Sequence, residues 1–126
     1  MSKENPTILL AEDSEYIVPM IVQEFSKAGI TNLIIAKSGE EIVPKFKEHK
    51  PDAIVLDIVM PGELGIDALK EIRALEEGKD VAVIIISNHS DPMYKEQAEK
   101  LGVKAYLMKP SIVLGDIVEA TRKAIG

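Results

Sequence analysis

The sequence predicts an α/β fold, a doubly wound five-stranded parallel sheet with five helices. Two observations carry it. Short apolar runs alternate with longer stretches whose apolar residues recur every three or four positions, the periods of buried strands and amphipathic helices. The runs stop at Glu12-Asp13, Asp57, Ser87 and Lys109, and right-handed crossovers between parallel strands bring such ends to one edge of a sheet.

Thr7-Ile8-Leu9-Leu10-Ala11 is the first strand, ending at Glu12-Asp13. Ser14 is placed to cap the next helix, with Glu15 in its first turn. Ile17, Val18, Ile21, Val22, Phe25 and Ala28 give that helix one apolar stripe, closed by Gly29, and Pro19 predicts a local irregularity near its start. Leu33-Ile34-Ile35-Ala36 is the second strand, and its end offers no chemistry, as suits a sheet edge. Ser38-Gly39-Glu40-Glu41 opens a helix with Ile42, Val43 and Phe46 inward and Pro51 beyond it. Pro44 falls inside, so either the helix kinks or its regular part begins near Pro44.

Ala53-Ile54-Val55-Leu56 runs without a break into Asp57, and Pro61-Gly62 then turns the chain toward a helix over Leu64 to Glu77. That helix carries Ile66, Leu69, Ile72 and Leu75 on one side. Val81 to Ser87 is the longest apolar run and predicts a central strand. Asp91 to Leu101 is a thinly amphipathic, exposed fourth helix, and Ala105-Tyr106-Leu107-Met108 is the fifth strand. Ser111 to Ile125 closes the chain as a helix whose buried face holds Val113, Ile117, Val118, Ala120, Thr121 and Ala124.

With 126 residues, 46% hydrophobic and 29% charged, the chain is read as one soluble domain over 1–126. It has no cysteine, which excludes disulfides and thiolate metal sites. A net charge of −6 argues against a sequence-independent grip on nucleic acid. No apolar run reaches the roughly 20 residues of a membrane span, and the first residues hold no signal-peptide core, so the cytoplasm is expected.

The chemistry lies in the strand ends. Three gathered carboxylates repel one another by about 1 to 4 kcal/mol per pair near 4 Å unless a cation joins them. Clusters rich in carboxylate oxygen suit Mg²⁺. An aspartate is also a competent nucleophile toward phosphorus. Lys109 can neutralise charge on a phosphoryl group, and Ser87 can donate a hydrogen bond to it. Together these residues are equipment for phosphoryl transfer. Each has a plainer reading as well: Asp57 and Ser87 as loop caps, Lys109 as a surface ion-pair partner, Tyr106 as packing. His49 is expected to be solvated.

Nearly the whole chain resembles the receiver domains of two-component response regulators. The likeness rests on Glu12-Asp13, Asp57, Met60-Pro61, Gly65, Ser87, Tyr106 and Lys109-Pro110, in that order. It implies the strand order 2-1-3-4-5 and a phosphoryl group accepted on Asp57 from a histidine kinase, a histidine phosphotransfer protein or a small phosphodonor. Mg²⁺ would be held by Asp13, Asp57 and the backbone carbonyl of Val59, with Glu12 acting through water. Lys109 would contact the phosphoryl group, and Lys109-Pro110 would be cis. Ser87 and Tyr106 would form the switch pair. A target protein would dock on the face of helix four, strand five and helix five, carrying Lys95, Glu96, Lys104, Tyr106 and Glu119. Such a chain is not an enzyme in the usual sense, but it assists its own phosphorylation and autodephosphorylation.

Three positions depart from the family pattern. Asn88 replaces a very small residue and is expected to slow entry of small donors. Glu63 stands where an apolar residue is common. Val59 has no polar group to orient a water, so the phospho-form should be long-lived. His89, two residues past Ser87, is expected to modulate dephosphorylation. The main reading is a stand-alone switch that signals by protein binding. Its rivals are a receiver cut from a longer regulator with a DNA-binding or enzymatic output, and a receiver-like module that ignores phosphorylation. A phosphatase with an aspartate nucleophile is disfavoured, because the second aspartate such enzymes carry two residues later is Val59 here.

Overall fold

Five parallel strands form one sheet: β1 (Thr7–Ala11), β2 (Asn32–Ala36), β3 (Ala53–Asp57), β4 (Ala82–Ser87) and β5 (Ala105–Met108). Their order is β2-β1-β3-β4-β5. The helices between them are α1 (Ile17–Lys27), α2 (Gly39–His49), α3 (Gly65–Ala74), α4 (Pro92–Lys100) and α5 (Leu114–Ile125). This computed structural model describes residues 5–58, 62, 64–87, 92–108 and 114–125.

Every residue of β3 and β4 is buried, which explains their unbroken apolar runs. Alternate strand residues face two separate cores. Leu9, Ile54, Leu56, Val83 and Ile85 pack with Ile42 and Phe46 of α2, Leu69 and Ile72 of α3, and Ala98 of α4. Ile8, Leu10, Val55 and Ile86 pack on the other face with Ile21 and Phe25 of α1 and Ile117 and Val118 of α5. The chain order reverses between β1 and β3, so their carboxyl ends flank the crevice where such sheets bind ligands.

The helix starts follow their side chains. The Ser14 hydroxyl accepts from the backbone N–H of Tyr16 and Ile17, capping α1 as expected. Pro19 is absorbed in the first turn, where the missing N–H matters little. At α2 the Glu41 carboxylate accepts from the Ser38 hydroxyl and the Lys37 N–H, a variant of the reciprocal box. Lys45 lies 3.0 Å from Glu41 and, with those two donors, holds its carboxyl below the usual value.

Of the two alternatives at Pro44 the later start is not the one found: α2 begins at Gly39, where Ser38-Gly39 was expected to open it, and runs through that proline to His49. Buried Ile42 and Phe46 hold the turns on either side of it. The third helix ends at Ala74 rather than Glu77: Leu75 turns extended, with ψ 145°, and a short 3₁₀ turn covers Glu76–Gly78. A Cβ on Gly78 would lie 2.0 Å from the Ile72 carbonyl oxygen, so the chain folds back there against its own helix. The fourth helix matches its thin amphipathic pattern, with Ala98 buried and Met93 60% exposed. Of the fifth helix, Ile117, Val118 and Thr121 are buried as expected, while Val113 lies outside the described residues.

Arg73 fastens the end of the sheet opposite the polar edge. Its Nε donates to the Leu101 carbonyl at 2.7 Å, and Nη1 reaches the carbonyls of Gly78 at 2.9 Å and Val81 at 2.8 Å. Longer contacts go to Lys79 at 3.2 Å and Gly102 at 3.4 Å. Burial pushes the guanidinium below its usual value, and Asp80 acts against that push. One side chain therefore joins α3, the entry to β4 and the turn after α4. Arg73→Ala should lower the unfolding free energy by about 3 kcal/mol in urea denaturation, because several carbonyls lose a charged donor at once. Arg73→Lys, which lacks the planar fork, should fall between the two.

Candidate functional site

Glu12, immediately after β1, is fully buried, and its N–H extends the ladder to the Ala36 carbonyl at 3.1 Å. One oxygen of its carboxylate accepts from the N–H of Asp13 at 3.1 Å and of Ser14 at 3.2 Å. Amide donors of this kind stabilise a carboxylate away from water. Asp13, next in the chain, is exposed. Asp57 closes β3 at 5% exposure, paired in register with Ile86. The three side chains each offer a carboxylate oxygen, and those oxygens lie within 4.8 Å of one another.

The β3–α3 connection is built closely around Asp57. The Gly65 N–H donates to the Ile58 carbonyl at 2.7 Å. A Cβ on Gly65 would stand 2.2 Å from the Asp57 carbonyl oxygen. Glycine is thus required there by proximity of backbone rather than by an unusual φ. Gly62 does carry a positive φ, of 84°, and faces the Glu40 side chain.

Ser87 ends β4, fully buried, one residue past the partner of Asp57. Tyr106 is half-buried on β5, in register with Ile85, and packs on the core shared by α2, α3 and α4. Lys109, Val59, Asn88 and His89 lie outside the described residues, as does the Lys109-Pro110 bond. His49 is exposed, 3.9 Å from Glu48. One residue at this edge escaped the sequence reading. Lys37, directly after β2, lines a cleft with Asp13; its signal was a lone cation following a strand, which means little without the fold.

A trio of carboxylates, two buried and one at the mouth, is a set of hard oxygen donors. Mg²⁺ typically takes one or two carboxylates and keeps several waters, and this set fits that demand.

Residues 8–122 match the response regulator receiver domain. The chain belongs to that family. Among its relatives, a Thermotoga maritima chemotaxis protein CheY is 34% identical over 116 residues, which make up 92% of this chain and 94% of that protein. The Bacillus subtilis transcriptional regulatory protein YvrH is 36% identical over 107 residues, covering 85% of this chain but 44% of that protein. Among solved structures, the receiver domain of the Pseudomonas aeruginosa sensor histidine kinase PA1611 superposes with a TM-score of 0.85 at 26% identity, over 97% of this chain and 98% of that one. That receiver domain holds a magnesium ion coordinated in its active-site cleft. The receiver fold and strand order expected from the sequence are therefore found. No helix among the described residues is long and apolar enough to cross a membrane.

The contact at Gly65 gives a direct test of how tightly this receiver holds its acids. Gly65→Ala should displace the end of β3 and lower stability by about 2 kcal/mol in urea. Unchanged stability in the variant would show that the end of β3 does not depend on that contact.

Proposed function

We propose that this receiver domain is a phosphorylation-dependent signalling switch whose acceptor is Asp57. The observation that carries the reading is the meeting of the Glu12, Asp13 and Asp57 carboxylates at the switch point of the sheet. An Asp57 oxygen attacks phosphorus, the bond from phosphorus to the donor breaks, and its electron pair leaves with the donor. Asp13, Asp57 and the Val59 carbonyl would hold Mg²⁺, with Glu12 acting through water. When bound, the metal neutralises charge on the phosphoryl oxygens. Lys109, next in the sequence after Met108, would contact the phosphoryl group.

Ser87 then donates its hydroxyl to the new phosphate, and Tyr106 responds as the second member of the switch. Both sit on adjacent strands, so one local charge can bias a two-state element at the surface. The donor is a histidine kinase, a histidine phosphotransfer protein or a small phosphodonor. The output is protein binding on the face of α4, β5 and α5, where Lys95, Glu96, Lys104 and Glu119 are exposed and Tyr106 is half-buried. Asn88, Val59 and His89 tune entry and lifetime. The chain acts in the cytoplasm as one domain over residues 1–126, a phosphoacceptor rather than an enzyme with turnover on free substrate. The likeness to YvrH, of which the chain spans 44%, supports a second reading as the receiver part of a longer transcriptional regulator.

Intact mass after incubation with Mg²⁺ and a small acyl phosphate tests the acceptor. Wild type should gain one phosphoryl group and Asp57→Asn none. Equal gain in both, or none in wild type even with a histidine kinase supplied, would overturn the reading.

A further inference from the structure

A cleft of about 250 Å³ opens beside the acid trio, lined by Asp13, Ser14, Glu15, Val18, Pro19 and Lys37. It shares Asp13, the exposed member of the trio, with the cation site. Its apolar side is Val18 and Pro19, and its one cation is Lys37. The Lys37 backbone is fixed by the Glu41 carboxylate at 3.3 Å. That carboxylate is itself occupied by Lys45 at 3.0 Å, and the Lys37 ammonium has no ion-pair partner among the described residues.

We propose that Lys37 is a specificity residue for the phosphodonor, receiving the carboxylate that a small acyl phosphate releases. The inference rests on the phosphoacceptor reading of Asp57. When an Asp57 oxygen attacks an acyl phosphate, the bond between phosphorus and the acyl oxygen breaks. The electron pair goes to that oxygen, and a carboxylate leaves. Asp13 and Glu15 line the cleft into which that carboxylate departs, so its negative charge meets like charges there. A cation in the adjoining cleft offsets that cost as the charge develops, while Val18 and Pro19 cover the short acyl chain. A donor that releases a nitrogen base, such as phosphoramidate or a phosphohistidine, sheds no negative charge and gains nothing from Lys37. The residue thus favours small acyl phosphates over nitrogen-linked donors.

The test compares initial phosphorylation rates with acetyl phosphate and with phosphoramidate, both with Mg²⁺, for wild type, Lys37→Ala and Lys37→Arg. Lys37 is exposed and outside both cores, so the substitutions should leave the urea midpoint unchanged. In Lys37→Ala the ratio of the acetyl phosphate rate to the phosphoramidate rate should fall about tenfold, the worth of one charge-assisted contact. Lys37→Arg should restore most of it. A ratio equal to that of wild type in Lys37→Ala overturns the inference while leaving Asp57 as acceptor. Refusal of both donors by wild type overturns the inference, and refusal of a supplied histidine kinase as well overturns the acceptor reading with it.

Discussion

Two nearly dry carboxylates beside a third at the sheet's carboxyl edge are the constraint on which the rest depends. Glu12 is fully buried and Asp57 almost so, in surroundings where an ionised group costs several kcal/mol unless it is compensated. Part of the compensation is local: two backbone amides meet one Glu12 oxygen at the start of the turn into α1. The fold holds the acids together because β1 and β3 are hydrogen-bonded neighbours, and the two apolar cores leave those strands no freedom to separate.

The two ends of the sheet are built for different tasks. At the far end Arg73 ties carbonyls from three segments into one fixed corner. At the near end the polar groups sit where loops begin, and the backbone at Asp57 is fitted against Gly65 with no room for a methyl group. A rigid base with a tightly fitted but charged edge is what a local chemical event needs in order to be felt at a distance. The fourth helix, with Ala98 its one buried residue among those described, is lightly held.

Much of this was legible in the residues. Strand positions followed from apolar runs, because strands covered on both faces need no alternation, and the run before Asp57 placed that carboxylate at a buried tip. The order of polar strand ends placed Glu12, Asp13 and Asp57 on a common edge, and the structure brings their oxygens together. What the sequence hid was set by tertiary contacts. The stop after Ala74 depends on Gly78 folding against Ile72 and on Arg73 capturing distant carbonyls, neither of which has a local pattern. Pro44 was overridden by the burial of Ile42 and Phe46. Lys37 became visible only when β2 was placed beside β1, which set its side chain at the same cleft as Asp13.

If the gathered acids at this edge repel one another and a divalent cation relieves them, Mg²⁺ must stabilise the folded chain. The thermal midpoint of wild type, followed against Mg²⁺ at constant ionic strength, tests it most directly. A cation bound only by the folded chain stabilises it by about 2.7 kcal/mol at a hundredfold excess over Kd, so the midpoint should rise through the millimolar range. A midpoint that Mg²⁺ leaves unchanged would contradict the account.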